Sequence, residues 1–181
     1  MKIQTKIGGF TLVEMMVVVS IIGILSSIVY ANFGAARAVA RDDVRKSALK
    51  ETQLALELYK AQYGSYPATG CGVAAGIWAG PGPTGSFGSA QSCNDYIPGL
   101  VPDFVAALPI DPNQENEPGM GYYYRSDGSS YKLLNNAVEQ KLIGNFDDEF
   151  SRCPQAGAPG CVEPDPVGTE YAVYSAGAVQ W

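Results

Sequence analysis

Histidine is absent from all 181 residues, which removes the commonest general base and the commonest transition-metal ligand. A hydrolase built from this chain would have to work with carboxylates, Lys, Tyr or Ser alone. Ser and Asp meet only in turn-like contexts such as Ser126-Asp127-Gly128, where turn formation is a sufficient explanation, so no enzymatic activity is expected. Clustered positive charge is also lacking: 12 Lys and Arg stand against 18 Asp and Glu, a net charge of −6. Phosphate backbones are bound by clustered Lys and Arg, so no nucleic-acid partner is expected. Cysteine is scarce, and Cys71, Cys93, Cys153 and Cys161 all lie in the C-terminal two thirds. They lack the close CxxC pairs of a zinc site. Their even number reads as two disulfides in an oxidising compartment, with the connectivity left open.

What is present divides the chain into four parts. Residues 1–9 form a short polar leader with Lys2 and Lys6, ending in Gly8-Gly9. Residues 10–33 contain one charge, Glu14, and are long enough for a transmembrane helix, since about 20 apolar helical residues cross a bilayer's hydrocarbon. An ordinary secretory signal has its small-residue cleavage site after the apolar run. Here the glycines come before it, so cleavage there leaves the hydrophobic segment on the mature protein. The flanking charges do not fix an orientation, and the extracytoplasmic placement of the C-terminal part rests on the cysteines.

Residues 34–66 continue the helix. They lack proline and place Val44, Ala48, Thr52, Ala55, Leu56, Tyr59 and Tyr63 at three-to-four-residue spacing on one stripe. Gly64 suits the position just past a helix end, and Pro67 prevents continuation. One helix from Phe10 to Tyr63 is expected.

Residues 67–181 are expected to form a globular, loop-rich β domain. Residues 68–99 read as a loop that needs a disulfide to order it, and a Cys71–Cys93 bridge would do so. A helical turn is expected over Asp103 to Leu108. The run YYYRSDGSSYKLL predicts two strands joined at Asp127-Gly128, and EYAVYSAGAVQW predicts another pair turning at Ala176-Gly177. The expected fold is α+β: a long N-terminal helix with a protruding apolar half, its amphipathic half covering a small antiparallel sheet with disulfide-stapled loops.

Glu14 is the most informative residue. An acid at the centre of a membrane helix costs about 2.5 to 3.5 kcal/mol on insertion scales, and near the end of a span it reaches the headgroups at modest cost. If a protease cuts after Gly9, Phe10 gains a free α-amine at i, i+4 from Glu14. The same carboxylate reaches either that amine or the amine of an adjacent subunit.

The run GG-FTLVEMMVVVSIIGIL, from Gly8 to Leu25, resembles the class III signal and N-terminal helix of type IV pilins and type II secretion pseudopilins. The stretch from Arg41 to Pro67 is similar to the same superfamily, especially its major pseudopilin-like members. The resemblance implies a prepilin fold, cleavage between Gly9 and Phe10, N-methylation of Phe10, and a role for Glu14 in recognising a neighbour's N-terminus during assembly. It further implies a homo-oligomeric helical filament, with a prepilin peptidase, an assembly platform, an assembly ATPase and minor pilins as partners. The subunit would wait in the inner membrane as a single-pass protein in contact with lipid, its C-terminal domain periplasmic, before joining a pilus or pseudopilus.

Two departures stand out. Many pilins carry a proline that marks a melted helical segment, and here any local unwinding would use the region near Gly23. Major pseudopilins often carry a calcium loop. Asp147, Asp148 and Glu149 offer oxygens for one, although such a run also serves as a solvated turn, and no other cofactor is expected. The Cys153–Cys161 pair resembles the C-terminal disulfide loop of pilins only loosely. The alternative to a filament subunit is a membrane-anchored extracytoplasmic binding domain that does not polymerise and uses its Tyr-rich sheet to hold a ligand.

Overall fold

The computed structural model describes residues 9–74, 76–81, 90–114, 120–137, 149–153, 170–179 and 181, with the side chains of 28, 29, 31 and 32 left aside. Helix α1 runs from Leu12 to Tyr63, 52 residues. No proline interrupts it, and its end is set by Gly64, whose φ of +82° lies in the left-handed region that glycine tolerates. The Gly64 N–H donates to the Lys60 carbonyl at 2.8 Å, closing the last turn with an αL cap.

The chain divides into two compact units, Met1–Ala38 and Val39–Trp181. In the first, the helical side chains described from Leu12 to Ser27 are all exposed. In the second, α1 turns one face inward, burying Leu49, Thr52, Ala55 and Leu56, with Ala48 and Tyr59 partly buried beside them. The stripe read from the sequence therefore holds at its centre and fails at its ends, because Val44 and Tyr63 are exposed. The position one residue along from Val44 is buried instead, and it is a cation, Arg45.

Strands β1 (Ala79–Gly80), β2 (Gln91–Ser92), β3 (Tyr122–Ser126), β4 (Tyr131–Asn135) and β5 (Tyr171–Tyr174) form one sheet in the order β2-β1-β3-β4-β5. The β3–β4 hairpin closes at Asp127-Gly128 as expected, its register pairing Tyr124 with Leu133 and Arg125 with Lys132. Asp127 fixes the turn by accepting from the N–H groups of Ser129 and Ser130 at 2.9 and 2.7 Å. Three expectations are corrected. The sheet is mixed, because β1 and β2 pair in parallel inside the segment read as loop. The helical turn lies earlier, with the N–H groups of Phe104 and Val105 both reaching the Leu100 carbonyl. After β5 the chain folds into a 3-10 turn over Ala176–Ala178 in place of another strand, since the Ala178 N–H bonds back to the Ser175 carbonyl at 2.9 Å.

Alternation gives the sheet two faces. Tyr122, Tyr124, Tyr131, Leu133, Tyr171 and Val173 pack with Leu49, Ala55 and Leu56 of α1 into the main core. Tyr123, Leu134 and Ala172 point the other way, with Trp78 and Tyr174 beside them. A buried polar junction ties α1 to this core: Arg45 donates to Asp42 at 2.7 Å and to both oxygens of Asp111 at 2.7 and 2.9 Å, and Asn135 donates to Asp111 at 2.8 Å. Burial pushes the Asp111 carboxyl up, but the hydrogen bonds from Arg45, Asn135 and the Asn113 N–H outweigh it and hold the group below the usual carboxylate range.

Cys71 and Cys93 are joined, with Cα atoms 5.4 Å apart and a separation of 22 in sequence. The adjoining Gly70 packs so closely that an added Cβ would stand 2.1 Å from the Asp95 carbonyl. Cys153 is also disulfide-bonded, whereas Cys161 lies outside the described residues.

Candidate functional site

The residues singled out at the N-terminal end meet at the start of α1. Gly9, Phe10 and Thr11 precede the helix, and Phe10 is 79% exposed. The Glu14 carboxylate accepts from the Thr11 N–H at 2.8 Å and from the Thr11 hydroxyl at 2.8 Å. In return the Glu14 N–H donates to the Thr11 hydroxyl oxygen at 3.3 Å. This is a reciprocal capping box, in which Ser or Thr at the N-cap and Glu three residues later satisfy each other's open backbone donors. The helix dipole adds to it, since a negative charge is favoured beside the unsatisfied N–H groups of a first turn.

From the sequence, Glu14 is assigned to the Phe10 amine or to the amine of an adjacent subunit, and Thr11 is not singled out. The signal was present as Thr11-Leu12-Val13-Glu14, a T-x-x-E signature before an apolar run.

Beyond the cap, two hydroxyls bond back to the helix's own backbone. The Ser20 hydroxyl donates to the Met16 carbonyl at 2.8 Å and the Ser27 hydroxyl to the Ile24 carbonyl at 2.7 Å. The described surface from Leu12 to Ser27 therefore presents hydrocarbon, including Val17, Val19, Ile21 and Ile24. At Gly23 and Gly34 an added Cβ would meet no atom within 4 Å, so these are open notches on the rod. Among the described residues no helix is long and apolar enough to cross a membrane, the side chains of residues 28, 29, 31 and 32 being outside that set.

Glu149 pairs with Lys50 at 2.7 Å, both side chains being exposed, while Asp147 and Asp148 lie outside the described residues. Among the described residues no group of three or more His, Cys, Asp or Glu is arranged to hold a metal ion. What the helix start can do is bind: it offers a positioned carboxylate at the head of an exposed apolar rod.

Residues 5–30 match the family described as the prokaryotic N-terminal methylation motif. Three relatives share the description "Type II secretion system core protein G". The one from Pectobacterium carotovorum subsp. carotovorum is 30% identical over 84% of this chain and 78% of its own length. The Pseudomonas aeruginosa protein is 36% identical over 78% of this chain and 90% of its own. The protein from Aeromonas hydrophila is 39% identical over 77% of this chain and 92% of its own. No solved structure matches the chain.

Proposed function

The chain belongs to the type II secretion system core protein G family, within the type IV pilin and pseudopilin superfamily, and from that premise we propose that it is a prepilin-type structural subunit assembled into a type II secretion pseudopilus. The observation that carries this reading is the capped Glu14 at the head of an exposed apolar helix, directly after Gly9-Phe10.

This role implies a physical sequence of events. Before processing, the subunit is held in the inner membrane by its N-terminal segment, and Thr11 satisfies the Glu14 carboxylate. Cleavage after Gly9 by a prepilin peptidase turns the Phe10 peptide nitrogen into an amine, and N-methylation leaves it cationic. A cation then stands at i, i+4 from a carboxylate already oriented at the helix start. Glu14 pairs with that amine or with the amine of the preceding subunit. The second pairing fixes axial register when helices leave lipid and pack on one another, because an uncompensated buried charge penalises a misaligned neighbour. The assembly platform and ATPase drive that transfer, minor pilins join the same fibre, and the work of the filament is mechanical, with no chemistry at Phe10 or Glu14 after processing.

Mass spectrometry of the native N-terminus tests the reading. The expected product begins at Phe10 and carries one added methyl group. Native material still beginning at Met1, or cut beyond Phe33, overturns it.

A further inference from the structure

Arg37 is the first cation after Lys6 in the chain. It is exposed on the N-terminal rod, its guanidinium carbon 5.5 Å from the centre of the Phe33 ring one turn earlier. Among the described residues no carboxylate pairs with it. Tyr30, Phe33, Gly34 and Arg37 follow at three-to-four-residue spacing and line one recess on the helix surface. Tyr30 is 85% exposed, Phe33 is exposed beside it, and the space over Gly34 is open.

The level of this recess on the rod is set by helix geometry. At about 1.5 Å per residue, Tyr30 lies about 27 Å along the axis from Leu12 and Phe33 about 32 Å, while a bilayer's hydrocarbon is about 30 Å thick. Between Leu12 and Phe33 the only charged residue is Glu14. With the helix start at one hydrocarbon boundary, the two aromatics fall at the other, where tyrosine collects in membrane proteins. Long side chains on a helix lean toward its N-terminus, and the contact with Phe33 has Arg37 doing so. Its guanidinium is thereby drawn back from the level of its own Cα, about 38 Å from Leu12, toward the layer where lipid phosphates lie.

We infer that the recess is a headgroup site for one anionic phospholipid of the leaflet far from Phe10. The Arg37 guanidinium takes the phosphate, Gly34 admits the headgroup close to the backbone, and Tyr30 and Phe33 lie along the glycerol and the upper acyl chain. The inference rests on the membrane-held state of the proposed function and adds what sets its depth: a lipid clasp that must open when the helix leaves the bilayer. The chain as a whole, with 18 Asp and Glu against 12 Lys and Arg, repels an anionic surface, so a preference for anionic lipid has to come from a local cation.

Native mass spectrometry of the full chain in a neutral detergent, with phosphatidylglycerol or phosphatidylcholine added, tests the site. Wild type is expected to retain one phosphatidylglycerol in preference to phosphatidylcholine, and soluble glycerol phosphate at equal concentration should not displace it. Arg37→Gln weakens retention about tenfold, the effect of losing one charge-assisted contact. Gly34→Val fills the notch without touching the charge and falls between the two, and Arg37→Lys stays nearer wild type.

No lipid preference in wild type, equal retention by Arg37→Gln, or a Gly34→Val variant that matches wild type overturns the inference. Displacement by glycerol phosphate assigns the recess to a free phosphate, and a lipid-independent dimer that Arg37→Gln abolishes assigns it to a second copy; either result overturns it as well. An N-terminus found uncut would sink the pseudopilin reading and leave the lipid titration standing, whereas a failed titration leaves processing at Gly9 untouched.

Discussion

Leu12–Ser27 and Val39–Tyr63 are stretches of one helix, yet they are stabilised by different things. The second stretch buries Leu49, Ala55 and Leu56 against tyrosines of β3 and β4 and anchors Arg45 in a cradle of carboxylates. The first buries none of its described side chains and has at its head a single carboxylate paired to a threonine. Helical stability in proteins comes mainly from packing of one face, so the first stretch must obtain from lipid or from other copies what the second obtains from its own sheet. The difference shows how one secondary structure serves two roles: the sequence of the second stretch is tuned to its own fold and that of the first to neighbours.

This contrast can be broken from either end. The largest effect is expected at Glu14→Leu, which should reduce filament yield to the background of an uncleaved control. Thermal unfolding of the Val39–Trp181 unit should stay within about 0.5 kcal/mol of wild type, as for a surface change elsewhere. Electron microscopy of sheared cells together with circular dichroism of the solubilised chain checks both halves of that statement.

Arg45→Ala attacks the other stretch. It strands the buried carboxylates of Asp42 and Asp111, and removing one partner of such a network typically costs about 3 to 5 kcal/mol. The denaturant midpoint should fall accordingly while cleavage at Gly9 proceeds. Equal damage to cleavage would show that the two stretches are not independent.

Gly70→Ala is expected to cost about 1 to 3 kcal/mol, the range for overpacking, because its Cβ would meet backbone at 2.1 Å. Chaotrope unfolding monitored by circular dichroism measures it.

The smallest effect is on acidification. The Asp111 carboxyl is held low in the fold, so its contribution is fully present above the ordinary Asp value of about 3.9 and disappears as pH falls through the lower folded value. Unfolding midpoints below pH 4 should drop more steeply in wild type than in Asp111→Asn, and parallel curves would remove Asp111 from the account.

Much of this was legible in the linear chain because local chemistry decided it. The helix followed from the absence of proline up to Gly64, and the β3–β4 hairpin from Asp127-Gly128 between alternating apolar residues. The Arg45 junction was not legible, because its partner Asp111 lies 66 residues away and a lone arginine on a helix reads as solvated. β1 and β2, two residues each, are too short to show alternation and exist through pairing. The segment after β5 looked like another strand, but the Ser175 N–H is taken by the Tyr131 carbonyl and the turn at Ala176–Ala178 follows. At the helix start the glycines, Phe10 and Glu14 stood out, whereas Thr11 was overlooked although its signature is local.

The covalent link between Cys71 and Cys93 has an evolutionary corollary. It makes the segment between them a closed ring that carries β1 and β2 into the sheet and is anchored at two fixed points. Doubling the length of such a loop adds only about 0.6 kcal/mol of closure entropy. The connection from β1 to β2 inside that ring is where descendants of this protein can change length without disturbing the pairing of Ala79 with Tyr124.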